Sequence, residues 1–367
     1  MVIDPFQEIH EVTDIGIKDG VVTKVERGLS EDEGVKVVDA TGKVICPGFI
    51  DLHVHVYEGV SHYGINADEH CLKMGSTTVL DAGSAGADTF MGLRRYVISV
   101  SETRVFAMLN ISSLGMISPI IGELEDIRYA DVQKAVTVCE KNKDVIIGIK
   151  VRLSRQMVGN NGLKPLMKAK EAAEAIGRPI MVHIGDTPTP LREILVELRR
   201  GDILTHCFTG LPNGIIGQHG EVIPEAREAV KRGVIFDVGH GQGSFSFDVA
   251  RSALQQGVEP NTISSDLHSH NVNGPVFDLA TTASKFIHLG FPVEKVIEKI
   301  TRIPANFLGL LGTIGTLKVG AMADLVVLTK EVGDFALEDS YGKKENTNQR
   351  LNPIMVMKSG HVVRPRN

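Results

Sequence analysis

No stretch of this 367-residue chain approaches the roughly 18 consecutive apolar residues that a membrane span needs, so a membrane partner is not expected. The opening Met1-Val2-Ile3-Asp4-Pro5 lacks the basic segment and apolar core of a secretory signal. Cysteine is scarce: Cys46, Cys71, Cys139 and Cys207 show no Cys-x-x-Cys spacing, which points to reduced thiols and a cytoplasmic location. Basic residues are not in excess, with 39 Lys and Arg against 45 Asp and Glu and a net charge of −6. That balance, without a basic stripe, argues against nucleic acid as a partner. No internal repeat or low-complexity tract stands out. What remains is 43% apolar with a mean hydropathy of +0.04, enough for one large domain and a smaller companion.

Short strand-like runs alternate with helical stretches from about residue 48 to 312. The runs are 49–55, 77–82, 105–111, 146–152, 180–185, 203–208, 234–239 and 262–267. Helical segments lie between them, among them Leu166–Ile176, Leu191–Arg199, Pro224–Lys231 and Val276–Leu289. This alternation predicts an α/β fold, a (β/α)8 TIM barrel over 48–312. The two ends read differently. Residues 14–26 form a hairpin around Asp19-Gly20, and residues 314–328 and 353–364 read as short strands with glycine turns. The expectation is a composite β-sandwich built from 1–47 and 313–367. The polar stretch 331–350 reads as a solvated loop inside it.

Chemistry concentrates at the predicted strand ends. His53 and His55 close the first strand, and strand periodicity puts both on one face with Leu52 and Val54 on the other. Two imidazoles on one face make half of a metal site. Lys150 closes the fourth strand, His183 the fifth, His206 the sixth and Asp266 the eighth. Packing alone accounts poorly for such a set, because buried polar groups are costly without partners. Cys207 follows His206, and alternation turns it to the other side of the strand. Asp266 also suits a helix N-cap.

These residues resemble the amidohydrolase superfamily. The resemblance rests on Pro47-Gly48-Phe49-Ile50-Asp51-Leu52-His53-Val54-His55, the spaced lysine, the two later histidines, the strand-eight Asp and the closing segment Gly315–Val327. It covers nearly the whole chain and is nearest to dihydroorotase-like enzymes that act as deacetylases. The resemblance implies a binuclear centre of two divalent ions held by His53, His55, Lys150, His183, His206 and Asp266, with Lys150 carboxylated by CO2. Burial favours the neutral amine that adds CO2; without the carbamate, a mononuclear site is the fallback. Zinc is the expected metal, although manganese or iron would bind the same ligands.

The implied activity is hydrolysis of an acyl (acetyl foremost) amide or ester of a small molecule, such as an N-acetyl amino acid or acetylated hydroxy acid. A water bridging the two metals supplies hydroxide, and Asp266 moves its proton to the leaving group. The alternatives are a cyclic amidase, a deaminase on the same centre, or a non-enzymatic scaffold; the complete ligand set speaks against the last. Candidate substrate contacts are Arg152, Gly241, Gln242 and His268. Arg152 suits either a carboxylate clamp or a structural ion pair. The loop Gly239–Ser244 suits either backbone contact with substrate or a plain turn. His268 and His270, just past Asp266, suit either a layer behind the site or the protein surface, and Tyr57, His62 and Asn110 are rim candidates. A symmetric dimer or larger assembly is expected. Members of the family it resembles usually carry an apolar strand before the Val-Ile-Asp-Pro segment at which this sequence starts, so the expectation is either a sandwich without that edge strand or a truncated start.

Overall fold

The structure, a computed structural model, describes residues 1–363. Residues 364–367, which end the expected last strand and the composite domain, lie outside the described residues. Seven parallel strands form one curled sheet in sequential order: β1 (Phe49–Val54), β2 (Ser76–Gly86), β3 (Arg104–Asn110), β4 (Ile146–Arg152), β5 (Ile180–His183), β6 (Ile203–Thr205) and β7 (Ile235–Asp237). Each is followed by a crossover segment, as parallel pairing requires. The run 262–267 closes the ring. Thr262 bridges to Asp237 and Leu267 to Val54, both in parallel. It does not form the regular eighth strand expected. In its middle, the Ser265 amide donates to Asp51 Oδ1 at 3.0 Å, so a buried carboxylate replaces part of the backbone ladder.

The inner wall starts with an apolar plug. Ile50, Leu80, Met108, Ile147, Met181 and Ile203 meet there and are closed from below by Ala305 and Ile314. Leu52 belongs to this plug, whereas Val54 packs outside the barrel with Val79 and Val105. This corrects the expected face assignment. The pairing register of β1 shifts between Asp51 and Val54, and an irregularity of that kind breaks strict alternation. Cys207 packs in the outer layer with Leu204 and Phe208.

Both ends of the chain build a six-stranded sheet whose strand order is 361–363, 344–358, 325–338, 44–47, 2–4 and 9–11. The hairpin 14–18/21–26 turns at Asp19-Gly20, both with positive φ, as a two-residue turn of this hand needs. Its Ile15 and Ile17 pack with Val2, Leu317, Leu325 and Val327 to give the small layer a core. The expectation of a loop over 331–350 is overturned: strands Leu325–Glu338 and Lys344–Lys358 form one long antiparallel hairpin. Its distal half is polar because most of it faces water, where backbone pairing and cross-strand pairs such as Arg350 with Glu331 hold it. The strand expected from residue 314 begins at Leu325, and the helix expected from Val276 begins at Leu279, where the Asp278 side chain accepts the Thr281 amide at 2.6 Å.

Barrel and terminal sheet are joined at Asp324, which is 3% exposed. Its carboxylate accepts Arg104 Nη1 and Lys358 Nζ, each at 2.8 Å, and the Ser359 amide at 2.8 Å. Burial raises the Asp324 pKa, but Lys358 and Arg104 more than offset this and hold it below the ordinary value. Asp324→Asn leaves two poorly hydrated cations facing a neutral amide. The expected loss is about 3 kcal/mol, from the usual cost of breaking a buried ion pair. It is read as a fall in the thermal midpoint; an unchanged midpoint would show that this junction carries no stability.

Candidate functional site

All six strand-end residues converge at the C-terminal mouth of the barrel, on the rim where barrel chemistry sits. His53 Nε2 and His55 Nε2 lie 3.3 and 3.2 Å from Asp266 Oδ1, and the three groups fall within 4.8 Å of one another. Lys150 Nζ reaches His53 Nε2 at 3.4 Å. His206 Nε2 faces His183 Nδ1 at 2.8 Å. Lys150 has room because Gly83, in left-handed backbone, lies beside it; a Cβ there would stand 2.6 Å from the Lys150 Cβ.

Each imidazole is anchored through its other nitrogen. His53 Nδ1 meets Thr205 Oγ1 at 2.9 Å, and that hydroxyl donates to Asp237 Oδ2 at 2.8 Å. Having given its proton away, the hydroxyl accepts from Nδ1–H, so His53 Nε2 carries a lone pair. His206 Nδ1 sits 2.6 Å from the Gly239 carbonyl, a pure acceptor, so its Nε2 is also a lone pair. His55 Nδ1 pairs with Ser84 Oγ, and His183 Nε2 with Ser154 Oγ, both at 2.9 Å. His206 and Asp266 hold positive φ (66° and 50°), strain of the kind that collects at functional sites.

Burial sets the protonation states. It pushes His55 down to about 3 and His206 to about 4, and takes His53 and His183 well below their ordinary value. It also lowers Lys150 to about 7, against the opposing pull of Asp266. Among the described residues no carboxylate lies within ion-pair distance of Lys150. With the imidazoles neutral, the contacts to Asp266 are not ion pairs, and Asp266 Oδ1 is buried without a hydrogen bond. His53 Nε2, His55 Nε2 and Asp266 Oδ1 thus face one another with no hydrogen bond to the carboxylate oxygen, and imidazole nitrogens beside a carboxylate oxygen are the donor types of a divalent cation. The residues present therefore fit a metal.

The donors open into a cavity of about 270 Å³ walled by Gln242, Gly243 and Ser244 on one side and by Tyr63 and His268 on another. Arg152 also lines it, but Nε and Nη2 donate to the two oxygens of buried Glu123 at 2.6 and 2.7 Å. Of the two readings open for Arg152, the structure takes the ion pair. Gly241 lies behind the wall, where a Cβ would collide with Asp266 Oδ2. His268 is buried at the cavity wall, and that burial lowers it to about 4. Of the rim candidates, Tyr57 donates to the Thr89 carbonyl and Asn110 to the Gly83 carbonyl, each away from the cavity. The His62 ring lies against Tyr63, tilted by 40° with ring centres 3.9 Å apart, and the His270 ring meets Tyr63 edge-on with centres 5.6 Å apart.

Sequence reasoning misses Tyr63, Glu123 and the anchoring groups Ser84, Thr205 and Asp237. Asp237 stands at a predicted strand end and carries the same signal as Asp266. Tyr63 and Glu123 come from loops and carry none.

A parallel barrel with a cation-type donor cluster at its C-terminal mouth defines a metallohydrolase-like TIM-barrel protein. Residues 44–363 match the amidohydrolase family, and the chain belongs to that family. It is therefore a hydrolase acting on carbon–nitrogen bonds, and membership implies use of a divalent metal. A deacetylase of Brucella anthropi is 38% identical over 93% of this chain and 85% of its own length. A solved dihydroorotase has a TM-score of 0.90 at 36% identity, covering 96% of this chain and 92% of that one. A solved adenine deaminase has a TM-score of 0.89, also at 36% identity, with 96% and 95% covered.

The sign of the His206 contribution to stability follows from its depressed pKa. An unfolded imidazole takes a proton near pH 6.5, whereas the native one resists until about 4. Between those values the unfolded chain binds the extra proton, so stability falls with acidification. In chelator-treated protein the thermal midpoint should fall more steeply from pH 6.5 to 4 in wild type than in His206→Asn. Equal slopes in a calorimetric pH series would show that His206 is not held neutral.

Proposed function

We propose that this chain removes an acyl group, acetyl foremost, from a small amide or ester such as an N-acetyl amino acid or an acetylated hydroxy acid. The observation that carries the reading is the convergence of His53, His55 and Asp266 on one point, with Lys150, His183 and His206 beside it. In this reading the six hold two divalent cations, zinc by preference. When bound, such ions acidify water and polarise the substrate carbonyl. His53 and His206, each with Nδ1 tied outward, already carry their lone pairs on Nε2, the nitrogen that faces the cluster. Lys150, lowered to about 7, offers a neutral amine that can add CO2 and release a proton, which turns a poor ligand into a carbamate with two oxygens. Asp266 Oδ1, free of hydrogen bonds, takes the proton of the attacking water and returns it to the leaving group. The closed floor of the cavity and its volume suit a small substrate.

Metal- and bicarbonate-loaded protein should release acetate from pooled N-acetyl amino acids and O-acetyl hydroxy acids, and a chelator should abolish the release. Protein that holds metal yet releases nothing would sink the deacetylase reading. The resemblance to a dihydroorotase and an adenine deaminase would then direct the assay to cyclic amides and amidines.

Two substitutions separate the roles. Asp266→Asn should lower kcat by about 10²- to 10⁴-fold, the usual range for losing a general acid–base. Lys150→Ala should bind less metal by elemental analysis, and wild type rebuilt in CO2-free buffer should regain activity only after bicarbonate is added. Full activity without bicarbonate would overturn the carbamate.

A further inference from the structure

The tip of the long hairpin 325–358 reaches the loops after β6 and β7 and seats on the glycine-rich loop that walls the cavity. Tyr341 is the central contact. Its hydroxyl accepts the Gly210 amide at 2.8 Å and donates to the Gly243 carbonyl at 2.8 Å. Ser340 exchanges two bonds with Phe245: its amide donates to the Phe245 carbonyl at 3.0 Å, and its hydroxyl oxygen accepts the Phe245 amide at 3.2 Å. The same hydroxyl lies 2.9 Å from the Gly241 carbonyl. Asp339 accepts the Phe247 amide at 3.1 Å.

The inner side of the loop is held by a different device. Lys285, fully buried, donates to His240 Nε2 at 2.8 Å and to the Pro275 carbonyl at 2.9 Å. That fixes the imidazole proton of His240 on Nδ1, which points at the Gly241 carbonyl at 2.9 Å. His240 and Gly241 are thus clamped from within. Gln242 and Gly243 are exposed at the lip of the cavity, and the Gly243 carbonyl is secured by Tyr341.

We propose that Tyr341, on the small terminal sheet, is a positioning residue for substrate. It holds the wall Gln242–Ser244 at its working distance from the donor cluster, so that substrate affinity depends on the hairpin tip. The inference rests on the reading that this cavity takes the substrate. Asp266 and the imidazoles of the donor cluster are held by separate bonds, so the effect falls on binding rather than on the chemical step.

The test compares Tyr341→Phe and Ser340→Ala with wild type, and uses Arg350→Ala, which breaks an exposed pair on the same hairpin away from the tip, as a control. Tyr341→Phe should raise KM for the acetylated substrate about fivefold, the factor for the one hydrogen bond of the two that pins the wall, with kcat within about twofold of wild type. Bound metal should not change. Hydrogen exchange at residues 240–246 should accelerate by a similar factor in both tip variants and not in Arg350→Ala. Unchanged KM in both tip variants, or a fall in kcat at constant KM, overturns the proposal. If wild type itself hydrolyses no acyl substrate, the deacetylase reading fails, and exchange alone decides: acceleration confined to 240–246 supports the pinning, and no acceleration overturns it.

Discussion

An imidazole buried beside other imidazoles stays neutral, because a proton placed there would lack both water and a free counter-charge. The mouth of this barrel is built on that constraint. Four histidines stand together with one nitrogen each tied outward, to Thr205, Ser84, Ser154 or the Gly239 carbonyl. Behind His53 the tie continues to Asp237, which accepts hydroxyls from Thr205, Thr262 and Ser264. A bare carboxylate at that depth would be costly, and three donated bonds offset its desolvation. The same hydroxyl ring orients the imidazole and selects its tautomer, so stability and chemistry rest on one set of bonds.

The strands end where this network begins. β5, β6 and β7 stop at His183, Thr205 and Asp237, short of the runs their apolar residues suggest. At His206 and Asp266 the backbone takes up left-handed conformations that a regular strand would forbid. Closure follows the same logic. Asp51 receives the Ser265 amide and hydroxyl, so the eighth segment is fastened to the first through a side chain as well as through the Val54–Leu267 bridge. Regular pairing holds the lower barrel, while side-chain hydrogen bonds hold the rim and aim its functional groups inward.

Relatives with nearly the same backbone carry names for different reactions, as expected when function resides in the site rather than the fold. In this chain the donor cluster rises from the barrel strands and their ends, whereas much of the wall comes from loops: Tyr63 after β1 and Gln242–Ser244 after β7, with Arg152 at the end of β4 paired to Glu123 behind it. Arg152 illustrates the difference. Its position suits a clamp for a substrate carboxylate, yet its fork is taken by Glu123. Arg152 therefore meets the cavity with its charge largely offset by Glu123, and selectivity has to be sought in the remaining polar edge of the wall.

The barrel and its donor set are legible because both follow local rules. Apolar runs of strand length mark the sheet, and a ligand-type residue at the end of such a run is hard to account for by packing. The hairpin 325–358 is not legible over its distal half, because Lys344–Arg350 pairs mainly through backbone and faces water, which leaves no apolar alternation to read. Nor is the shift in β1 that turns Leu52 inward, since a bulge has no side-chain signature. Tyr63 and Glu123 meet the site only through loops whose paths depend on distant contacts. The repeating strand–helix order and the identity of the donors are written in the chain itself, through short-range periodicity and residue chemistry. Which nitrogen each histidine presents, what neutralises Arg152 and how the terminal sheet reaches the cavity emerge only on folding, because they arise from contacts between residues far apart in the chain.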